Sequence, residues 1–270
     1  MDHIQQYLDE DIRSGDITTK MFVPDIDGKA IITCEEDAIV AGLEEAVDVF
    51  SRMNVVAEML IKDGTQIKAG TVVMKMVGPL RGITTCERVA LNIMMRMSGI
   101  ATTTNDATQI CRAKNSKVMI AGTRKTTPGF RKFEKKAIAL GGGDPHRYGL
   151  DDLILIKDNH IKAVGGIAEA MEIAMEAPFS MKVEIEVENI RDAEIAAKCG
   201  ADIIMIDNQP PKITTEIYDL IKSINKNIKV EASGKITLNN VADYANSADI
   251  ISMGCLTHSV KAIHFSLDIQ

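Results

Sequence analysis

"KVEIEVENIRDAEIAAKCGADIIMIDNQ" (Lys182–Gln209) decides how this chain folds. Its first stretch alternates, with Val183, Ile185 and Val187 on one side and Glu184, Glu186 and Glu188 on the other, as a strand requires. "NIRDAEIAAKCG" follows with helical spacing and a terminal glycine, Gly200, of the kind that stops a helix. "DIIMID" then returns to a short apolar run and ends in a carboxylate, Asp207. Two strands joined by one crossover helix form a parallel βαβ unit.

The same rhythm extends outward from about residue 104. Further short apolar runs occur in "KVMIAGTRK", "LILIKDNH", "IKVEASGK" and "DIISMGCL", separated by roughly 20–35 residues, room for a crossover each. Every run ends in polar residues or glycine: Arg124 and Lys125, Lys157 and Asp158, Glu186 and Glu188, Asp207 and Asn208, Ser233 and Gly234, and Gly254. A doubly wound sheet places polar strand ends mainly at its switch point, whereas a β/α barrel builds its chemistry from many strand ends. The pattern therefore predicts a β/α barrel, with fewer than the usual eight strands because about six are visible.

Residues 1–103 follow a different pattern. "HIQQYLDEDI" reads as a short helix and "SGDITT" as an acidic turn. "KAIITCEEDAIVAG", "VVAEMLIKDG" and "TVVMKMVG" read as strands between glycine turns. "LEEAVDVFSRM" and the methionine-rich "TTCERVALNIMMRMSGIA" carry helical periodicity. An α+β layer is expected here.

Composition limits the function. The chain has 270 residues and a net charge of −7, with no Trp and few aromatics, which disfavours nucleic acid as a partner. No apolar run is long enough for a bilayer, and the polar N-terminus is unlike a secretory signal, so a cytoplasmic protein without a membrane partner is expected. The five cysteines are scattered without zinc-ligand spacing and read as small buried hydrophobes.

Against that acidic background, "AGTRKTTPGFRK" concentrates cations. Lys132, Lys135 and Lys136 fit the solvated face of an amphipathic helix, with Phe130, Phe133 and Ala137 inward. Arg124 and Lys125 differ, because they directly follow an apolar strand. "GGGDPHR" then supplies His146 and Arg147 behind three glycines, and Lys157 ends the next strand. Such a set suits carboxylates and phosphates. Glu186 and Asp207, at neighbouring strand tips, could hold Mg²⁺ shared with a phosphorylated substrate. "EASGK" and "SMGCLTHS" are small-residue turns at late strands, where barrels bind phosphate. Lys75, in "MKM", resembles the modified lysine of biotin carriers, but it lies inside an alternating strand rather than at a hairpin tip.

In order and spacing, "EDIRSGDITT", "CERVALNIMMRMSGIATTT", "TRKTTPGFR", "GGGDPHRYGLDDLILIKDNHI", "VEIEVEN", "DIIMIDN", "EASGKI" and "GCLTHSV" resemble the quinolinate phosphoribosyltransferases over nearly the whole chain. The resemblance implies an α/β fold. An N-terminal α/β sandwich (1–103) is followed by an incomplete, seven-stranded-like β/α barrel with a C-terminal helical segment (104–270). It implies a homodimer whose sites combine one subunit's barrel with the other's N-terminal domain, with assembly of dimers left open. The implied substrates are quinolinate and phosphoribosyl pyrophosphate, with Mg²⁺. Arg124, Arg147 and Lys157 would contact quinolinate, with His146 close by, and Lys125 would lie near the pyrophosphate. Arg88 would reach the partner's barrel. Glu186 and Asp207 would engage the ribose hydroxyls and Mg²⁺, and Ser233, Gly234 and Gly254 would line the 5-phosphate pocket. Lys125, Glu186 and Asp207 are the expected catalytic groups.

Two positions depart from the family pattern: Gly122, where Asp is common, and Lys235, where a second Gly is frequent. Alternatives are a nicotinate-using phosphoribosyltransferase, usually longer, and ModD-like relatives, which tend to lack the block at Lys157–His160. A non-enzymatic carrier has only the "MKM" triplet in its favour.

Overall fold

The computed structural model describes residues 2–270. In chain order it opens with α1 (His3–Ile12), α2 (Ile17–Phe22), β1 (Asp27–Cys34), β2 (Ala38–Ile39), α3 (Leu43–Ser51), β3 (Val56–Met59), β4 (Gln66–Ile67), β5 (Thr71–Pro79) and the long helix α4 (Leu80–Arg112). There follow β6 (Met119–Ala121), α5 (Arg131–Leu140), β7 (Ile154–Ile156), α6 (Asp158–Val164), α7 (Ile167–Ala174), β8 (Val183–Val187), α8 (Ile190–Lys198) and β9 (Ile203–Asp207). The chain ends with α9 (Pro211–Ile224), β10 (Lys229–Ser233), α10 (Val241–Tyr244), β11 (Ile250–Ser252), α11 (Cys255–His258) and β12 (Phe265–Ile269). Among the described residues, no helix is long and apolar enough to cross a membrane.

The chain divides into two compact units. One comprises residues up to Thr103 with 128–141 and 260–270, and the other comprises 104–127 with 142–259. The units are interleaved in sequence, where a single cut at 103/104 was expected. The expected C-terminal helical segment is also replaced, apart from the short α11, by strand β12. The reason is packing: Phe133, Ala137 and Ile138 of α5, and Phe265 of β12, bury themselves in the first unit's core. The backbone of β12 pairs antiparallel with β1 from Ala30↔Ile269 to Cys34↔Phe265.

In the first unit, β12, β1, β5 and β3 form an antiparallel sheet in that order. The inward residues of β1 alternate as Ala30, Ile32 and Cys34. They meet Leu43, Val49 and Phe50 of α3 and Ile83, Cys86, Met94 and Met97 of α4 in one core. A fully buried side chain such as Phe50 contributes about 1.5–3 kcal/mol relative to exposure. Lys75 points outward from the middle of β5, as its alternation requires, and not from a hairpin tip. The expected acidic turn at "SGDITT" continues into α2, which Asp16 caps by accepting the Thr19 N–H at 2.8 Å.

One expectation about α5 fails. Lys135 is fully buried rather than solvated, and Lys136 bonds to Glu44 and Glu45 at 2.6 and 2.8 Å. Arg96 binds the buried Glu134 at 2.5 Å, so charge pairing brings the supposedly outer face of α5 into the interior.

The second unit is a parallel sheet in the order β6-β11-β10-β9-β8-β7. Sequence neighbours pair from β7 to β11, and the last of them then pairs with the first strand, β6. That return is what a barrel does and a doubly wound sheet does not. On the free side of β6, Asp144 makes a one-residue parallel bridge to Ala121, a seventh strand reduced to a point. Between Asp144 and β7 no ladder forms among the described residues, so the barrel is incomplete. All six sequence-predicted runs became its strands, wrapped by α7, α8 and α9 over an Ile-, Val- and Ala-rich core.

Candidate active site

The C-terminal strand ends surround one cavity of about 560 Å³. The end of β6 supplies Gly122, Thr123, Arg124 and Lys125, and the Asp144 bridge leads into His146 and Arg147. Lys157 follows β7, Glu186 lies on β8, and Asp207 and Asn208 end β9. Ser233, Gly234 and Lys235 end β10, and Ser252 ends β11. Nine of the sequence-selected residues therefore converge: Arg124, Lys125, His146, Arg147, Lys157, Glu186, Asp207, Ser233 and Gly234. Gly254 stands just behind them. A Cβ there would lie 3.1 Å from Lys125 Cδ and 3.0 Å from His258 Nε2, so its bare backbone gives the lysine stem room. Arg88 is not among the residues lining the cavity; it sits on α4 in the first unit, with its side chain 61% exposed and 3.2 Å from Glu87.

Cations dominate one part of the cavity wall. Arg147 is nearly buried, and its pKa is lowered first by that burial and then by the charge of Arg124. Arg124 keeps a buried Nε–H with no hydrogen-bond partner among the described residues. An orphaned donor beside a second guanidinium is costly unless an anion completes it. Lys157 Nζ forms a short ion pair with Glu186 Oε2 and remains partly exposed. Lys125 is held by its backbone: its N–H donates to Thr123 Oγ1 at 3.1 Å, and its carbonyl accepts from Thr257 Oγ1 at 2.7 Å.

The opposite strand tips form a tight turn. Gly234 has φ +96°, and any Cβ there would overlap the Asn208 side chain. Asn208 and Lys235 adopt φ of 54° and 53°, and the Asn208 N–H donates to the Ser233 carbonyl at 2.9 Å. Among the described residues, three of the five non-glycine residues with positive φ (His146, Asn208 and Lys235) line this cavity. Backbone conformations of that kind cost about 1 kcal/mol or more each and cluster where a ligand is held. Lys235, a departure from the family pattern, thus occupies a position where glycine would be less strained.

Glu186 and Asp207 offer oxygen donors at neighbouring strand tips, since β8 and β9 pair directly. Mg²⁺ commonly takes one or two carboxylates and fills its remaining positions with water and phosphate oxygens, so this open pair fits it. Neither carboxylate is free of protein contacts, because Glu186 meets Lys157 and Asp207 accepts from the Asn208 amide. The other two glutamates of "VEIEVE" go elsewhere: Glu184 is fully buried, and Glu188 lies exposed past the end of β8.

In the wall of the cavity, which Glu231 also lines, sequence reasoning missed a cluster. His146 Nε2 lies 3.4 Å from Glu184 Oε2 and 3.3 Å from Glu231 Oε2, without hydrogen-bond alignment to either. Ser252 Oγ donates to Glu231 Oε1 at 2.6 Å. Burial disfavours a charge on His146, while the two carboxylates favour one and hold a proton on the ring. Burial raises the pKa of Glu184, and the Glu231 charge adds to this, while His146 and Arg147 oppose it. The Arg147 N–H nevertheless points at His146 Nδ1 from 2.8 Å, which requires a lone pair there. That contact is shorter than those to the carboxylates, so we assign the ring proton to Nε2. The available signal was period: Glu231 sits two residues before Ser233, as Glu184 sits two before Glu186.

Comparison with known proteins shows what the whole chain resembles. Residues 16–98 match the model of the quinolinate phosphoribosyl transferase N-terminal domain, and residues 100–268 match that of its C-terminal domain. A probable nicotinate-nucleotide pyrophosphorylase [carboxylating] of Archaeoglobus fulgidus is 42% identical over 94% of this chain and 98% of its own length. The human nicotinate-nucleotide pyrophosphorylase [carboxylating] is 36% identical over 89% of this chain and 82% of its own. The crystal structure of NadC from Streptococcus pyogenes superposes with a TM-score of 0.92 at 36% identity, covering 100% of this chain and 96% of that one. With both domain models matched in order and the fold shared over its full length, the chain belongs to the quinolinate phosphoribosyl transferase family.

Proposed function

We propose that this enzyme transfers the phosphoribosyl group of phosphoribosyl pyrophosphate to quinolinate and decarboxylates the adduct, giving nicotinate mononucleotide, pyrophosphate and CO₂. The observation that carries this is the sharing of one cavity by Arg124, Arg147 and Lys157 with the Glu186–Asp207 strand tips and the Gly234 turn. A dianionic pyridine acid and a polyphosphorylated sugar repel each other in water. Fixed cations offset that repulsion and define where each substrate sits.

Arg124 and Arg147 hold the ring carboxylates, with Lys157 approaching from the next strand tip. Lys125 offers its ammonium to the departing pyrophosphate, and the Ser233–Gly234 turn presents backbone N–H groups to the 5-phosphate. Glu186 and Asp207 accept from the ribose hydroxyls and would hold Mg²⁺, which when bound neutralises pyrophosphate charge. The pyridine nitrogen attacks the ribose C1 as the C1–O bond to pyrophosphate breaks. Its lone pair is free, so no base is needed. The ring nitrogen becomes cationic and stabilises the electron pair left on C2 when the adjacent carboxylate leaves as CO₂; a solvent proton then takes its place. In this scheme, positioning and electrostatics carry most of the acceleration.

We also read the enzyme as a homodimer in which Arg88 serves the partner's cavity. Its exposed position, without a carboxylate other than the adjacent Glu87 within ion-pair distance among the described residues, supports that reading.

Incubation with phosphoribosyl pyrophosphate, Mg²⁺ and either quinolinate or nicotinate tests the assignment. Nucleotide and CO₂ in equal amounts from quinolinate alone are expected. Nucleotide from nicotinate alone would replace the substrate while keeping the phosphate site, and no product from either would remove the transferase reading.

A further inference from the structure

Two carboxylates at the floor of the cavity, Glu184 on β8 and Glu231 on β10, are fully buried and have no role in the transfer as derived above. Both face the same atom, Nε2 of His146, at 3.4 and 3.3 Å. A buried carboxylate is expensive unless compensated, so two that converge on one imidazole need a reason. Ser252 fixes the nearer one through its 2.6 Å bond to Glu231 Oε1.

The opposite edge of the ring is equally committed. Nδ1 accepts the Arg147 N–H at 2.8 Å, and the His146 N–H donates to Asp144 Oδ1 at 2.6 Å. Between these two bonds the backbone takes φ +55° at His146. A bulky residue stays in the left-handed region only where its surroundings over-determine it. Nδ1 is thus taken by the Arg147 backbone, while Nε2 faces the two carboxylates at ion-pair distance. The ring of His146 links the buried carboxylates to the backbone of Arg147. Glu184 also places negative charge near Arg147, opposing the effects of burial and of Arg124 on that guanidinium.

We propose that Glu184 and Glu231 are positioning residues for the pyridine-dicarboxylate pocket: by clamping Nε2 of His146 they hold the ring whose Nδ1 fixes the turn that aims Arg147 into the cavity. The kinetic arm of the test rests on the quinolinate reading above, whereas the spectroscopic arm does not. In ligand-free enzyme labelled with ¹⁵N-histidine, the His146 signals, assigned by their loss in His146→Gln, should show a proton on Nε2 and none on Nδ1. In Glu231→Gln or Glu184→Gln that single tautomer should give way to exchange between two. The KM for quinolinate should then rise at least roughly tenfold, with the KM for phosphoribosyl pyrophosphate and the thermal midpoint nearly unchanged.

A wild-type ring protonated at Nδ1 would overturn the proposal whether or not the enzyme turns quinolinate over. So would an unchanged quinolinate KM in both variants, or equal rises in the two KM values. The three side chains each offer one atom within metal-ligand range of the others. Stoichiometric transition metal in the purified, chelator-washed enzyme would therefore also defeat the clamp. Should Glu231→Gln not fold, Ser252→Ala removes only the support of Glu231 and should raise the quinolinate KM in the same direction; no rise there would count against the proposal.

Discussion

At the residue scale, Arg147 sits under opposing demands. Burial and the neighbouring Arg124 both disfavour its charge, yet it lines a cavity suited to an anion. A carboxylate gripped by its fork would repay that cost, and a lysine, though charged, cannot make two parallel bonds from one plane. Arg147→Lys is therefore expected to lose about 1.5–3 kcal/mol of transition-state binding, roughly 10- to 150-fold in kcat/KM for quinolinate. Steady-state kinetics with each substrate varied should show the KM for phosphoribosyl pyrophosphate little changed; equal losses for both substrates would place Arg147 elsewhere in the chemistry. Arg124, Arg147 and Lys157 were legible in the sequence because a cation directly after an apolar strand or a glycine run has few structural reasons to be there. Glu231 and Ser252 were not. Neither ends its strand's apolar run in a charge that marks a site, and the importance of each arises from His146, distant in sequence. Choosing Glu186 over Glu184 for the cavity agrees with their burial, but it hid what the deeper glutamate contacts.

Elements were legible where a pattern ran long enough. The six barrel strands and α4 declared themselves through apolar runs closed by polar tips and through a long helical period, whereas α2 and β12 did not. "ITTKMF" is short and rich in β-branched residues, and only the bond from the Thr19 N–H to Asp16 shows where its helix begins. Bonds from Thr19, through its side chain and its amide, hold the Asp16 pKa below the usual aspartate value, against a small opposing effect of burial. A lowered native pKa means the cap stabilises fully above the unfolded value, about 3.9, and fades as pH falls through the native one. Asp16→Ala should thus cost about 1 kcal/mol at neutral pH, and the gap in thermal midpoint should close in acid. A gap that persisted in acid would mean the loss is packing rather than capping. β12 is five residues long and hydrogen-bonds to a strand more than two hundred residues away, so nothing local could name its partner. Its approach requires Gly99 on α4: Ile263 N–H donates to the Met95 carbonyl at 3.0 Å, and a Cβ on Gly99 would overlap the Lys261 carbonyl oxygen. Alanine usually stabilises a helix over glycine by about 1 kcal/mol, but here overpacking at about 1–3 kcal/mol opposes it. Gly99→Ala should lower stability and speed amide exchange in Phe265–Ile269 before the rest of that sheet; unchanged exchange there would show that the segment yields freely.

At the scale of the whole molecule, the first unit carries an apolar surface that its own core does not use. Ile17, Met21 and Phe22 of α2 are 74, 72 and 76% exposed, and Ile26 nearby is 59% exposed. Large apolar side chains grouped in this way on a chain of net charge −7 suit a partner surface better than water. A second copy is the economical partner, because two-fold symmetry would turn one such surface into two matching contacts. Joined with the exposed Arg88, this gives the proposed dimer a functional consequence. If each cavity borrows Arg88 from its partner, Arg88→Ala and Lys157→Ala homodimers both lack something at every site. A heterodimer of the two has one doubly altered site and one intact site. Random exchange between equal amounts should then recover roughly a quarter of wild-type activity, since half the molecules are mixed and each holds one good site of two. The measurement is activity after mixing, with heterodimer confirmed by mass or by two affinity tags. Recovery near that level requires that Arg88 act across the interface. Confirmed heterodimers with no recovery would mean that each chain supplies its own arginine, leaving the apolar surface of α2 to hold the subunits together without completing their chemistry.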